Sequence, residues 1–164
     1  MAQNENLAVE VGNLLKNHHL TFCAAESCTG GLLLSTLTDI SGSSEYVLGG
    51  VVAYSYEAKQ HLIHVQEITL LQYGAVSEQT AREMVLGVRD VFKADVAVSI
   101  TGIAGPGGGM PEKPVGLTYI GVATVNTIQV GRYIWNGSRV ENKQQSVAQA
   151  LRMVVEILNT LKDS

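Results

Sequence analysis

The sequence predicts an α/β protein, a three-layer α/β/α sandwich with helices on both faces of a mixed sheet. In the first hundred residues, short apolar runs alternate with amphipathic helical segments, a pattern typical of strands joined by helical crossovers and therefore parallel. Near the C-terminus two apolar runs follow each other directly, which indicates an antiparallel hairpin. With 164 residues the chain is long enough to bury a substantial core, and we expect one domain over residues 1–164.

The N-terminal part begins with a helix, a strand and a second helix. Apolar residues at helical spacing between Leu7 and Leu15 predict an amphipathic helix over residues 5–18. The short apolar run Leu20–Ala25 predicts a strand. The turn ESCTGG, residues 26–31, follows, and the apolar stretch LLLSTL after it indicates the second helix.

The middle of the chain repeats this alternation. A polar turn over residues 41–45 precedes a buried strand over residues 46–55, whose Gly49-Gly50 pair indicates a bulge or a close backbone approach. Ser77 is a suitable N-cap for a longer helix over residues 78–93. Between them lie two helical pieces, EAKQHLI and the stretch around Thr69 to Gln72, with Gly74 as a stop.

The last third contains three strands, a long loop and a helix. The β-branched run at 95–101 predicts a strand, and it leads into the Gly/Pro-rich stretch GIAGPGGGMPEKPVG, which cannot form a regular element. A loop this long in so small a domain is usually functional. The remaining elements are strands over Leu117–Val125 and Gln129–Trp135, joined across Asn126-Thr127, and an amphipathic helix from about Glu141.

Composition excludes several classes of protein. Apolar residues make up 46% and charged residues 16% of the chain, no apolar run is long enough to span a membrane, and no export signal begins the chain, so we expect a cytoplasmic protein. A net charge of −4 with scattered cations argues against broad nucleic-acid binding. Cys23 and Cys28 are expected to be free thiols, and no ligand set surrounds His61 and His64, so no metal site is predicted.

Three segments fall where strands give way to loops, which is where α/β sheets usually bind ligands. They are ESCTGG, the end of VVAYS and TGIAGPGGG. Ser27 lies between a predicted strand and a helix start, so the N–H groups of Thr29, Gly30 and Gly31 are candidates to hold an anion or an oxyanion. The two glycines would let a substrate approach the backbone closely.

A serine nucleophile needs a neighbouring base, and no histidine occupies a comparable turn. Lys59 follows the strand VVAYS and is the candidate base, provided that burial lowers its pKa from about 10.4 toward roughly 7 to 8. Tyr54, at the end of the same strand, is a candidate to orient that amine or to relay its proton.

Each of these residues also has a structural interpretation. On spacing alone, Ser27 is more often a helix cap, Lys59 more often a solvated surface residue and Tyr54 an ordinary strand aromatic. Cys28 is a possible nucleophile, but it lacks a histidine partner. The glycine segment 105–109 is also compatible with a flexible loop. The residues alone therefore indicate a nucleophilic or anion-binding site and leave the substrate open.

Four strings together resemble the CinA C-terminal domain family: AESCTGG, GGVVAYSYEAK, GAVSEQTA and SITGIAGPGGGMPEKPVG. The resemblance runs in order from about residue 5 to 162. It implies a nicotinamide-nucleotide amidohydrolase, which converts nicotinamide mononucleotide to nicotinic acid mononucleotide and ammonia without a metal or cofactor. A non-catalytic nucleotide-binding or regulatory module is the alternative, and a DNA-binding protein is disfavoured by charge.

The resemblance also implies roles for individual residues. The family's catalytic positions fall on Ser27, Lys59 and Tyr54. Its substrate-pocket positions fall on Ser44, Thr101, Gly102 and Arg139.

The sequence departs from the family pattern at two positions. Tyr56 stands where Asn is frequent and bears on substrate preference, and Gly107 stands where Asp is common. Many members carry an additional N-terminal domain for which this chain has no room, so the resemblance implies the stand-alone form, and a homodimer.

Overall fold

The computed structural model describes residues 2–161, and within this range five strands form one sheet flanked by six α-helices. The helices are α1 (Ala2–Asn17), α2 (Leu32–Thr38), α3 (Tyr56–Ile63), α4 (Glu67–Tyr73), α5 (Glu78–Phe92) and α6 (Arg139–Thr160). The strands are β1 (Phe22–Glu26), β2 (Val47–Val52), β3 (Val96–Gly102), β4 (Leu117–Ala123) and β5 (Ile128–Ile134). A 3₁₀ turn over Ser43–Glu45 precedes β2.

The sheet is mixed, with the strand order β2-β1-β3-β4-β5. The interior strand β1 pairs in parallel with both β2 and β3, and Glu26 at its end lies opposite Val52 and Ile100. The strand β4 is antiparallel to β3 and forms a hairpin with β5. The predicted parallel first half and antiparallel late hairpin are both confirmed.

Helices cover both faces of the sheet, because side chains of successive strand residues point to opposite faces. In β1, Phe22 and Ala24 face a core formed with α1, α2 and α6, whereas Cys23 and Ala25 face a core formed with α3, α4 and α5. All five residues of β1 are buried. Burying each large apolar side chain of these cores contributes about 1.5–3 kcal/mol. The three-layer α/β/α prediction is therefore confirmed.

The predicted boundaries differ from the structure where side chains cap helices. The strand predicted over residues 46–55 ends at Val52, since Ser55 caps α3 by accepting a hydrogen bond from the Ala58 N–H. The last helix begins at Arg139, two residues before the predicted Glu141. Its start is fixed by a capping box, S-x-x-E, in which Ser138 and Glu141 each accept a hydrogen bond from the other residue's backbone N–H.

None of the helices within residues 2–161 combines the length and the apolar character that crossing a membrane requires.

Candidate active site

One edge of the sheet collects the segments that the sequence singled out. The parallel strands β1, β2 and β3 end there, and β5 ends there too, because it runs antiparallel to β4 and so in the direction of β3. Ser27 follows β1, Tyr54 follows β2 and Gly102 ends β3, while Arg139 opens α6 after β5. The topology thus brings residues from distant parts of the chain to one edge.

A cavity of about 260 Å³ opens at this edge. Six of the residues proposed from sequence line it: Ser27, Tyr54, Lys59, Thr101, Gly102 and Arg139. The remaining wall includes Cys28, Ala75, Val76 and the Gly/Pro loop. The long loop after β3 is therefore a wall of the cavity, through Gly105, Gly107 and Gly108.

Ser27 and Lys59 are in contact within this cavity. The Nζ of Lys59 lies 3.0 Å from the Oγ of Ser27, and the two residues are 1% and 8% exposed, respectively. Ser27 is held on the neighbouring strand by a hydrogen bond from its N–H to the Ile100 carbonyl, at 2.9 Å. Both residues therefore depart from their structural interpretations, because Lys59 is not on the surface and the Ser27 hydroxyl makes no capping hydrogen bond within residues 2–161.

Two backbone carbonyls fix the orientation of the Lys59 amine. Its Nζ donates to the carbonyl oxygens of Ala53, at 2.8 Å, and Tyr54, at 3.1 Å. A neutral amine has two N–H donors and one lone pair. With both donors directed at these carbonyls, the lone pair is left for the hydroxyl proton of Ser27.

Burial lowers the pKa of Lys59 to about 8, because the charged ammonium is poorly solvated there. At that value a useful fraction of the molecules holds a neutral amine near pH 7 to 8, which is what a general base requires.

The predicted oxyanion donors need correction, because the Gly31 N–H donates to Glu26. Its buried carboxylate accepts hydrogen bonds from the Thr29 hydroxyl at 2.6 Å and from the Gly31 and Leu33 N–H groups at 3.1 Å each. It also accepts one from the Leu34 N–H at 2.9 Å. A carboxylate at a helix start satisfies the unpaired N–H groups of the first turn. The N–H of Gly31 therefore points at the protein's own anion.

Two donors remain beside the serine. The Gly30 N–H is also occupied, since it donates to the Ser27 carbonyl at 3.1 Å. Within residues 2–161, however, the N–H of Thr29 has no hydrogen-bond partner. The N–H of Cys28 donates no hydrogen bond to any other residue of that range. The residue that follows a nucleophile often supplies an oxyanion donor at a strand-to-helix turn. The candidate pair is therefore Cys28 and Thr29, in place of Thr29 to Gly31.

Tyr54 contributes differently from the prediction. Its carbonyl orients Lys59, but its side chain is 61% exposed and its hydroxyl accepts a hydrogen bond from the Arg139 guanidinium at 3.3 Å. The phenol therefore belongs to the rim of the cavity and does not contact the Lys59 amine. Arg139 also donates to the Gly105 carbonyl at 2.7 Å, so it connects the start of α6 to the glycine loop.

Thr101 and Gly102 form the floor on the β3 side. The buried Thr101 hydroxyl donates to the Ala75 carbonyl at 2.7 Å, which fixes the segment before α5. Gly102 is required by close packing, since a Cβ there would lie 2.7 Å from the Thr118 hydroxyl oxygen. Both residues shape the cavity, and the hydroxyl of Thr101 is committed to the protein.

Ser44 does not lie at this site. It belongs to the 3₁₀ turn that precedes β2, so it is exposed at the opposite end of the sheet from Ser27. The reason is topological: β1 and β2 are parallel, and a residue before one strand and a residue after the other lie at opposite edges. The prediction that Ser44 lines the pocket is therefore wrong within this chain.

The remaining expectations concern the thiols, metal binding and the two positions, 56 and 107, at which the sequence departs from the family pattern. Burial raises the pKa of the Cys28 thiol to about 11, so it is protonated at neutral pH and is a poor nucleophile. Within residues 2–161 no three His, Cys, Asp or Glu side chains cluster as metal ligands. The Tyr56 hydroxyl accepts a hydrogen bond from the Ala75 N–H at 3.3 Å, and Gly107 has open space around it.

The sequence reasoning missed three residues near the site. They are Glu26, the buried Asn142 and Lys143. Asn142 donates to the Ala104 carbonyl at 3.0 Å and accepts from the Gly137 N–H at 2.9 Å, which anchors α6 to the loop. The capping box at Ser138 was a signal for this arrangement, because it sets the helix start and so places residues 139–143 beside the loop.

The chain matches the family model of the CinA C-terminal domain over residues 4–158. It is 46% identical over 158 residues to a putative competence-damage inducible protein of Thermoanaerobacter sp. (strain X514) and covers 38% of that protein's length. It is 46% identical over 157 residues to a CinA-like protein of Chloroherpeton thalassium, covering 37% of it. The alignments include 96% and 93% of this chain, which thus spans under two fifths of these relatives.

Solved structures give the same relationship. The crystal structure of the competence/damage inducible protein CihA from Agrobacterium tumefaciens superposes with a TM-score of 0.93 at 40% identity, covering 96% of each chain. A CinA superfamily protein from Klebsiella pneumoniae superposes with a TM-score of 0.92 at 31% identity, covering 96% of this chain and 98% of its own.

Proposed function

The chain belongs to the CinA C-terminal domain family, and from that premise we propose that it hydrolyses the carboxamide of nicotinamide mononucleotide. The products are nicotinic acid mononucleotide and ammonia. One observation carries the proposal: the 3.0 Å contact between the Ser27 hydroxyl and a buried amine of lowered pKa, at a cavity. The remaining steps are derived from that contact.

The first step is acylation of Ser27. The neutral Lys59 amine takes the hydroxyl proton while the Ser27 Oγ forms a bond to the carboxamide carbon, whose π electrons move onto its oxygen. The N–H groups of Cys28 and Thr29 are the proposed donors to that oxyanion. The tetrahedral intermediate collapses, the Lys59 ammonium returns the proton to the nitrogen, and ammonia leaves with the C–N electron pair.

The second step is hydrolysis of the ester. Lys59 is neutral again once ammonia has left, so it removes a proton from water, and the hydroxide attacks the acyl carbon. The ester C–O bond then breaks and the Ser27 oxygen recovers its proton from Lys59. The scheme uses neither a metal nor a cofactor.

Replacement of the nucleophile tests this mechanism. Purified Ser27→Ala protein is expected to release ammonia from nicotinamide mononucleotide at least about a thousandfold more slowly than wild type, while retaining ligand affinity. Ser35→Ala is the matched control, because Ser35 is an exposed serine on α2 and its variant should keep wild-type turnover. Retention of most turnover in Ser27→Ala would refute the serine mechanism. Tight binding without turnover in wild type would favour the non-catalytic nucleotide-binding module.

A further inference from the structure

A second cation of α6 lies beside the site. Lys143 follows Arg139 by four residues, so the two side chains lie on the same face of the helix. Lys143 is half-buried, and its Nζ lies 3.8 Å from the position that a Cβ on Gly30 would occupy. Gly30 belongs to the turn that holds Ser27. The ammonium therefore lies beside that turn.

The charge of the same ammonium acts on a residue of the cavity wall. Burial raises the pKa of the Cys28 thiol, and the positive charge of Lys143 acts against that rise. Cys28 lines the cavity directly after Ser27. The field of Lys143 is thus felt at the cavity wall itself.

The N–H donors of Lys143 are not engaged by the described residues of the protein, unlike those of the other two cations of the site. Lys59 is directed at Ser27 and two carbonyls, and Arg139 donates to the Gly105 carbonyl and the Tyr54 hydroxyl. Lys143 makes no hydrogen bond or ion pair with any residue of the described range 2–161. Its three N–H donors are therefore open to a ligand.

We propose that Lys143 is a specificity-determining residue, which binds the phosphate monoester of the substrate and so selects nucleotides over uncharged amides. This inference rests on the proposed function. The Gly30 N–H donates to the Ser27 carbonyl, so one short turn carries both the reacting residue and the glycine beside the Lys143 ammonium. A substrate whose carboxamide and phosphate are separated by a ribose matches this arrangement, and Gly30 has no side chain to obstruct it.

The overall charge of the chain strengthens the argument. The net charge is −4, so the chain as a whole repels an anionic substrate, and attraction has to be local. Lys59, Arg139 and Lys143 gather at one edge, where the carboxylate of Glu26 is already bound by four protein donors. A half-buried ammonium acts in a lower dielectric than bulk water and is correspondingly more effective.

The test compares two substrates that differ only in the phosphate. For Lys143→Met, we expect kcat/KM for nicotinamide mononucleotide to fall at least about tenfold through KM, and kcat/KM for nicotinamide riboside to change less than about twofold. Lys143→Arg should retain most of the wild-type value. Lys93→Met is the matched control, because Lys93 is an exposed lysine that pairs with Asp90.

The outcomes separate the inference from the proposed function. Equal losses on both substrates, or no loss on either, in a wild type that releases ammonia would overturn the role of Lys143 alone. If wild type releases no ammonia from either substrate, the proposed function fails, and ribose 5-phosphate titrated by NMR decides the inference. Weaker binding of ribose 5-phosphate by Lys143→Met than by wild type supports it, and equal or absent binding overturns it.

Discussion

The catalytic competence of Lys59 depends on its protonation. The amine has a pKa of about 8 because burial disfavours the ammonium, and only the neutral form accepts the Ser27 proton. We expect kcat/KM to rise about tenfold per pH unit below pH 8 and to level off above it, since kcat/KM reports the pKa of the free enzyme. Ammonia release measured from pH 6 to 10 checks this. A flat profile between pH 6 and 8 would contradict it.

Glu26 holds the turn that carries Ser27. An amide in its place has only one acceptor oxygen, so Glu26→Gln leaves at least one of the four donors facing an NH₂ group. We expect the free energy of unfolding to fall by about 2 kcal/mol and kcat to fall more than KM rises. Urea unfolding and ammonia release measure both. The control is Glu45→Gln, which removes only a surface ion pair with Lys16. Equal stability of the two variants would contradict the prediction.

At the scale of single residues, the sequence could predict the two reacting side chains but not the donors around them. Ser27 and Lys59 follow strands that the apolar pattern predicts, and their residue types limit the chemistry to a nucleophile and a base. Which N–H groups remain free depends on where the Glu26 carboxylate points. That direction is set by packing in three dimensions, for which a single sequence has no pattern.

The contact between α3 and α5 depends on one glycine. A Cβ on Gly87 would overlap the carbonyl oxygen of Ile63, the last residue of α3. Helix propensity alone predicts that Gly87→Ala stabilises the protein by about 1 kcal/mol. Packing predicts the opposite sign, a loss of about 2 kcal/mol, because the two helices must separate.

Thermal and urea unfolding measure the sign directly. Gly107→Ala serves as the control, since no atom lies within 4 Å of the position of its Cβ, and it should unfold like wild type. A Gly87→Ala protein more stable than wild type would show that α3 and α5 adapt at no cost.

At the scale of elements, helices and strands were predictable where the hydrophobic periodicity is strong and the sequence shows an N-cap residue. The helix α5 begins after Ser77, whose side chain accepts a hydrogen bond from the Thr80 N–H, as its sequence predicts. The strand predicted over residues 46–55 was too long because periodicity continues through Ala53 and Tyr54, whereas Ser55 already caps α3. The hydrophobic pattern locates elements, and capping hydrogen bonds decide their ends.

The stability of the whole molecule should also record the buried amine. Lys59 has a pKa of about 8 in the folded protein against an ordinary 10.5, so between these values the unfolded chain binds more protons than the folded one. Stability therefore rises with pH in this window, by about 2 kcal/mol between pH 8 and 10.

Urea unfolding of wild type and Lys59→Met at several pH values isolates this contribution. The methionine variant leaves the carbonyls of Ala53 and Tyr54 without their partner, but that loss does not depend on pH. The stability of wild type relative to Lys59→Met should rise by about 2 kcal/mol across this window and stay constant below it. Parallel pH dependences would contradict the assigned pKa.

At the scale of the whole molecule, the three layers and the mixed sheet followed from the order of elements alone. The order of strands within the sheet did not, because the alternation of helices and strands does not specify which crossovers place β1 between β2 and β3. The wrong prediction for Ser44 is a consequence. Its distance from Ser27 follows from the parallel direction of β1 and β2, which no local sequence motif specifies.

Ser27 leads into α2 on one face of the sheet, whereas Lys59 belongs to α3 on the other. Their contact is thus the point at which the two outer layers meet around the sheet's end. A shear of about 1 Å between the layers, too small to wet either core, would already misalign the proton transfer and cost on the order of a hundredfold in rate. The rate of turnover therefore depends on the alignment of the two layers, and it responds to distortions that spectroscopic measures of folding do not detect.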